Sequence, residues 1–248
     1  SAEAVTAAMR VTRRGIIEYQ LGALANYIYA VNGAQGEGYR PIIAGGKNIW
    51  HGHYFRLDAP LSAGDLVLMD VAPECNHYTS DIGRMWPVDG AYRPWQRELY
   101  GYIVEYHKTL LSKIRPGVTP EQVMGEVAEV MREIWASWSF SKEIYREGAR
   151  KTLDFHGHLS HAVGMAVHDD ARTQQGSGYF GAPLVPGTVF AVDPQMWIPE
   201  EKRYIRVEDT VVVTEDGIEN LTATAPLELE AVERLMREKA TELPFWGG

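Results

Sequence analysis

Twice in this chain a glycine opens an apolar run that ends in an aspartate six positions on. The two stretches are "AGDLVLMD", residues 63–70, and "PGTVFAVD", residues 186–193. Short apolar runs bounded by glycine read as buried strands. A carboxylate on such a strand costs several kcal/mol, on the order of 3–5, unless it is paired, hydrogen-bonded or bound to a cation. What precedes the strands repeats as well. "RRGIIEYQLGALANYIYA" from Arg13 and "RPGVTPEQVMGEVAEVMRE" from Arg115 share a basic residue, a glycine, an acid and a helical apolar stripe. Two matches in the same order predict a duplicated αβ unit with pseudo-twofold symmetry, far longer in period than a solenoid repeat. The expected class is α+β, one domain over 1–248 with halves of roughly 1–95 and 96–248.

The remaining pattern fills this frame. Residues 3 to about 32 carry helical spacing, broken near Arg14-Gly15, and a glycine-rich loop, "NGAQGEGYRP", follows. Strand-like pieces run from Ile49 to Val88 and again from Gly164 to Val213. Helices are expected over 95–114 and 119–138. "PLELEAVERLMREKATEL" reads as a closing helix with Pro226 at its start.

Turn placement brings acids together. A hairpin turning at Cys75-Asn76 sets Asp70 opposite Asp81, and one turning at Glu200-Glu201 sets Asp193 opposite Glu208. Cross-strand partners have Cβ atoms roughly 4.5–5.5 Å apart. If the halves form one curved, mostly antiparallel sheet, four carboxylates converge on the pseudo-axis. Like charges buried together repel, and a divalent cation removes the conflict. Four carboxylates can hold two such ions, so a metal is the expected partner of Asp70.

Oxygen ligands alone would suit Mg²⁺, Ca²⁺ or Mn²⁺; histidine shifts the choice toward Mn, Co, Fe or Zn. "WHGHYF" carries His51 and His53, and "DFHGHLSHAVGMAVHDD" carries His156, His158, His161 and His168. His161 and His168 stand at an odd spacing, so both face one cleft only if the chain bends near Gly164. The net charge of −9 argues against non-specific nucleic-acid binding. Cys75 is the single cysteine, which precludes an intrachain disulfide and fits a cytoplasmic location. No apolar run approaches the roughly 20 residues of a membrane span. No leader is visible, and the abrupt helical opening suggests a piece of a longer protein.

In order along the chain, "GIIEYQLGA", "WHGHYFRLDAPLSAGDLVLMDVAPECNHYTSDIGRMWPV", "HLSHAVGMAVHD", "LVPGTVFAVDP" and "YIRVEDTVVVTEDGIENLTA" resemble the pita-bread metallopeptidases. That family includes methionine aminopeptidase, prolidase and Xaa-Pro aminopeptidase. "YTSDIGRMWPV" and "RVEDTVVVTEDGIENLT" are closer to its proline-peptide branch.

The resemblance implies a pita-bread fold, with the N-terminal domain often seen in that branch absent here. It implies two divalent ions, manganese first and cobalt, zinc or iron next, held by Asp70, Asp81, His161, Asp193 and Glu208. His53 and His168 match cleft histidines, His168 as donor to the developing oxyanion, and Arg206 matches an arginine bracing the carboxylates. Asp193 stands where the family has glutamate and would handle the proton of a metal-bridging hydroxide attacking an Xaa-Pro bond. Gly157 stands where a histidine is expected, leaving His156 or His158 to substitute. The implied partner is a peptide substrate, with a homodimer in keeping with the branch and no nucleic acid or membrane. The rivals are methionine aminopeptidase-like activity, a metal-free creatinase-like hydrolase and a non-catalytic binding module.

Overall fold

The computed structural model describes residues 1–170 and 181–238. Its repeats are visible at the level of single hydrogen bonds. Helices α1 (Ala2–Val11) and α2 (Glu18–Val31) open the first half; α3 (Pro94–Lys113), α4 (Pro120–Ser137) and α5 (Glu143–Thr152) lie between the two sets of strands. At the head of α2 the Ile17 N–H donates to the Gln20 side chain at 2.8 Å. At the head of α4 the Thr119 N–H donates to Gln122 at 2.9 Å, and the Thr119 hydroxyl accepts the Gln122 N–H in return. The glutamine in each case satisfies a backbone donor that a helix start leaves open.

The strands repeat in the same way. Strands β1 (Gly36–Glu37), β2 (Ile42–Gly45), β3 (Leu66–Asp70), β4 (Pro73–Glu74) and β5 (Gly83–Pro87) belong to the first half. The second half contributes β6 (Leu159–Ala162), β7 (Val189–Val192), β8 (Gln195–Ile198), β9 (Arg203–Arg206), β10 (Asp209–Val213) and β11 (Ile218–Asn220). Gly64 and Gly187 turn into β3 and β7 at φ of 86° and 88°, a conformation that strains any residue with a Cβ.

All the ladders are antiparallel. β3 is central in the order β2-β3-β5, and β7 lies between β6 and β10, with β11 outermost. β8 with β9 and β1 with β4 form two-stranded pairs. The two larger ladders meet at one bridge, where Gly83 and Glu208 exchange backbone hydrogen bonds of 3.1 and 2.9 Å. A Cβ on Gly83 would lie 3.0 Å from that of Glu208, so glycine permits the halves to approach this closely. Helices cover the sheet: α1 packs on α2 and on α6 (Leu229–Arg237), while α3 packs on α4 and β9. One apolar cluster runs through both halves, from Val5 and Leu21 to Phe190 and Val211. No helix among the described residues is long and apolar enough to cross a membrane.

Several sequence expectations are corrected. Ile49 lies in a 3-10 turn, Gly46–His51, because the glycine-rich approach ends in left-handed Gly46 before a strand can start. Helix α5 was not anticipated; its 143–152 stretch is charged and buries only four residues. α6 begins at Leu229 with Glu228 as N-cap, three residues beyond Pro226, which stays outside it. The tail of that expected helix and part of the 164–213 strand region lie outside the described residues. The first hairpin turns at Asn76-His77, both in left-handed conformation (φ 51° and 71°), with Cys75 opposite Tyr78. Two positive φ values match the tight turn that suits strand twist. Asp70 therefore faces Gly83 and not Asp81. The slip is two residues, so every side chain keeps its face. In the second half Gln195 pairs with Arg206 and Val192 with Asp209, which places Asp193 and Glu208 across from each other between the ladders, as expected.

Candidate metal centre

Five strand ends deliver the site. Asp70 closes β3, Asp81 precedes β5, Asp193 follows β7, Arg206 closes β9 and Glu208 precedes β10, while His161 stands in β6. Asp70, Asp81, Asp193 and Glu208 are each 5% exposed or less. Strand ends converge here because the two ladders meet at Gly83 and Glu208.

Arg206 ties three of the acids together. Its Nε donates to Asp193 at 3.0 Å, Nη1 to Asp70 at 2.8 Å and Nη2 to Glu208. The Tyr39 hydroxyl lies 2.6 Å from Asp70 and 2.7 Å from Asp81. Burial, with Asp70 alongside, holds the Asp81 carboxyl well above the usual carboxylate range. Burial raises Glu208 in the same direction and pushes Asp193 up to about 6, against the pull of Arg206. Burial opposes the charge on Arg206, but Asp193 and Glu208 outweigh it and hold the guanidinium well above its usual range.

His161 is neutral. Burial, then His168, push its pKa down to about 4. Its Nδ1 lies 3.2 Å from the Ala162 carbonyl, which places the proton there and turns the Nε2 lone pair toward Asp81, 3.5 Å away, and Glu208, 4.0 Å away. Ligand atoms of Asp81, His161 and Glu208 lie within 4.8 Å of one another. Glu208 Oε1 is buried without a hydrogen-bond partner. A buried acceptor left open, beside a neutral imidazole lone pair and crowded carboxylates, is what a divalent cation satisfies. The residues present fit such an ion.

Around this centre opens a cavity of about 570 Å³. The chain bends after β6: the Asp169 N–H bonds back to Ala162 O, and a Cβ on Gly164 would lie 2.1 Å from Asp169 Oδ2. The bend stacks His168 on His161 with ring centroids 3.9 Å apart. Burial, then His53, lower the His168 pKa. His53 lines the cavity and stacks on Phe55.

Neither candidate substitute for the histidine missing at Gly157 reaches the cavity. His156 is exposed, and His158 is buried away from it, with Nε2 2.8 Å from Thr152 O and its ring against Tyr106. A Cβ on Gly157 would lie 2.6 Å from the Phe155 ring, so no side chain fits there unless Phe155 moves. His51, to which the sequence reading gave no role, does line the cavity. Tyr39 was also missed; nothing marks it within its glycine-rich loop. Behind the centre, Asp209 accepts from Arg84 at 2.6 Å and meets His107 at 2.7 Å. Burial pushes the Asp209 carboxyl up, but Arg84 and His107 outweigh that and hold it well below the usual range. Arg84 also donates to the backbone carbonyls of Gly83 and Glu208, clamping the seam.

Comparison with known proteins agrees. Residues 1–215 match the model of metallopeptidase family M24. The chain is 35% identical to Xaa-Pro aminopeptidase of Escherichia coli (strain K12), over 95% of this chain and 55% of that protein. It is 33% identical to the mitochondrial intermediate cleaving peptidase 55 of Arabidopsis thaliana, over 87% of this chain and 44% of that protein. Among solved structures, proline aminopeptidase P II from Yersinia pestis superposes with a TM-score of 0.81 at 33% identity, covering 95% of this chain and 56% of that one. Aminopeptidase P from E. coli, in its low pH form, gives 0.79 at 33% identity, with 95% and 55% covered. The chain spans about half the length of these relatives. The fold is the pita-bread fold, and by its matched residues, its identity to these peptidases and its superposition on them, the chain belongs to metallopeptidase family M24.

Proposed function

We propose that this chain is the catalytic part of a divalent-metal exopeptidase that hydrolyses Xaa-Pro bonds. The observation that carries the reading is that three buried carboxylates and a neutral imidazole line one cavity, with Glu208 buried among them and one of its oxygens an open acceptor. The relatives named as Xaa-Pro aminopeptidases favour the proline branch. Asp70, Asp81, His161, Asp193 and Glu208 would hold two cations, manganese before cobalt, zinc or iron. Cations bound there lower the pKa of water and polarise a carbonyl.

The chain's own groups do the rest. A free peptide amine would seat at this centre, which favours cleavage at the amino end. Neutral His168 donates an N–H to the carbonyl oxygen as it gains charge. Asp193, on the cavity wall where the resemblance places the family's glutamate, takes a proton from the attacking water and passes it to the leaving proline nitrogen. Arg206 holds Asp70, Asp193 and Glu208 in place while this happens. His53 lines the approach.

Asp81→Ala and His161→Ala are each expected to abolish hydrolysis of Xaa-Pro peptides and to lower bound metal, read by elemental analysis. Metal-reconstituted protein assayed on Xaa-Pro dipeptides, longer Xaa-Pro peptides and Met-Ala peptides tests the substrate class. Turnover of Met-Ala alone, or full activity in metal-stripped Asp81→Ala, would overturn the reading.

A further inference from the structure

The cavity is electrically lopsided. Its floor carries Asp70, Asp81 and Asp193, and two arginines reach its lining among the described residues, Arg206 and Arg40. The charge of Arg206 is already met within the protein, since Nε, Nη1 and Nη2 each meet a carboxylate. Arg40 is different. It is exposed; its Nη2 donates to the Phe55 carbonyl at 2.9 Å, and its guanidinium sits 4.9 Å over the Phe55 ring. Among the described residues no carboxylate pairs with it. The ring and the carbonyl fix the guanidinium in position while its remaining N–H groups stay available to the cavity.

Arg40 directly follows Tyr39, whose hydroxyl touches Asp70 and Asp81. A positive group thus belongs to the same short segment that reaches the acids. An extended peptide covers at most about 3.6 Å per residue. Two to four residues therefore run roughly 7–14 Å, the scale of a cavity made for a small ligand. A short peptide with free ends carries two handles: its amine seats at the proposed centre, and its carboxylate suits a guanidinium that can grip both oxygens.

Resting on the reading of the site as an exopeptidase centre, we propose that Arg40 binds the C-terminal carboxylate of the substrate and tunes the site to short peptides with a free carboxyl end. Lysine would supply the charge without the two-pronged grip, so Arg40→Lys retains part of the effect and Arg40→Gln none.

Two measurements on the metal-loaded chain test this. The first is hydrolysis of Ala-Pro-Ala as the free acid and as the C-terminal amide. The second is calorimetric titration of Pro-Ala, acid and amide, which needs no turnover. The parent chain is expected to prefer the acid by roughly fivefold to twentyfold, expressed in KM and in Kd. In Arg40→Gln that ratio falls to about one, and in the parent it shrinks with added salt. Far-UV circular dichroism verifies that the variant is folded. Equal handling of acid and amide by the parent, or an acid preference that survives Arg40→Gln, overturns the role of Arg40. Absence of any Xaa-Pro hydrolysis overturns the catalytic reading instead, and the titration still decides the carboxylate site.

Discussion

Among the described residues Arg206 is the one positive charge paired with a group of acids that would otherwise repel. It meets Asp70, Asp193 and Glu208 with three separate nitrogens inside the protein. Removing one member of a buried charge cluster leaves the others without compensation, at a cost of about 3–5 kcal/mol. Arg206→Met is therefore expected to lose on the order of that stability in chelator-treated protein, measured by urea unfolding. Added Mn²⁺ should then stabilise the variant more than the parent, since the cation relieves the repulsion the guanidinium no longer does. A smaller gain in the variant would show that Arg206 and metal do not share this task. The convergence of the acids was legible in the sequence because strand-end spacing and the family pattern both pointed to it, and the place of His161 beside them because the family pattern did. Tyr39 was not, because a hydroxyl in an irregular loop has no period to betray it. Nor was His51, whose place in the cavity depends on a 3-10 turn where a strand was expected.

Elements show a different division. The starts of α2 and α4 and the glycine-led strands were readable because each carries a local chemical signal: a basic residue, a glycine and an acid ahead of the helical stripe, or a glycine opening the apolar run. Register was readable only to within two residues in the first hairpin, since apolar alternation fixes the face of a strand but not the turn that sets its pairing. Helix α5 lacked any signal strong enough to stand out, because its buried face is four residues wide in a charged segment. Two predictions belong at this scale. Gly83→Ala places a Cβ 3.0 Å from that of Glu208 and 3.3 Å from its Oε2. The strand pair must part slightly, so unfolding stability should fall by about 1–3 kcal/mol, with a parallel weakening of metal binding. His158, just ahead of β6, is held neutral by burial, its pKa lowered from 6.5 to about 4. Its folded value lies below its unfolded one, so the unfolded chain binds the extra proton first. The contribution is present above pH 6.5 and fades as pH falls toward 4, by on the order of 3 kcal/mol. Urea melts across that window should show the loss, and His158→Phe should flatten the slope.

For the whole molecule the governing fact is that the proposed ligands come from both halves: Asp70 and Asp81 from the first, His161, Asp193 and Glu208 from the second. A cation that binds only the assembled arrangement stabilises it by about 2.7 kcal/mol at a hundredfold excess over its Kd. Scanning calorimetry should show the midpoint rising with Mn²⁺ concentration, and Asp81→Ala should remove most of that dependence. The duplicated frame explains why the general plan could be read in advance, since each half repeats one helix start and one strand entry. It does not explain the asymmetry of the donors, which sits in residues such as His161 that have no counterpart in the first half. The bridge between Gly83 and Glu208 has a last consequence. The same residue whose backbone stitches the two sheets is a proposed ligand of the ion, so on that reading no partly opened form can keep the chemistry while losing the join. A bench titration of working sites would then double as a census of closed molecules.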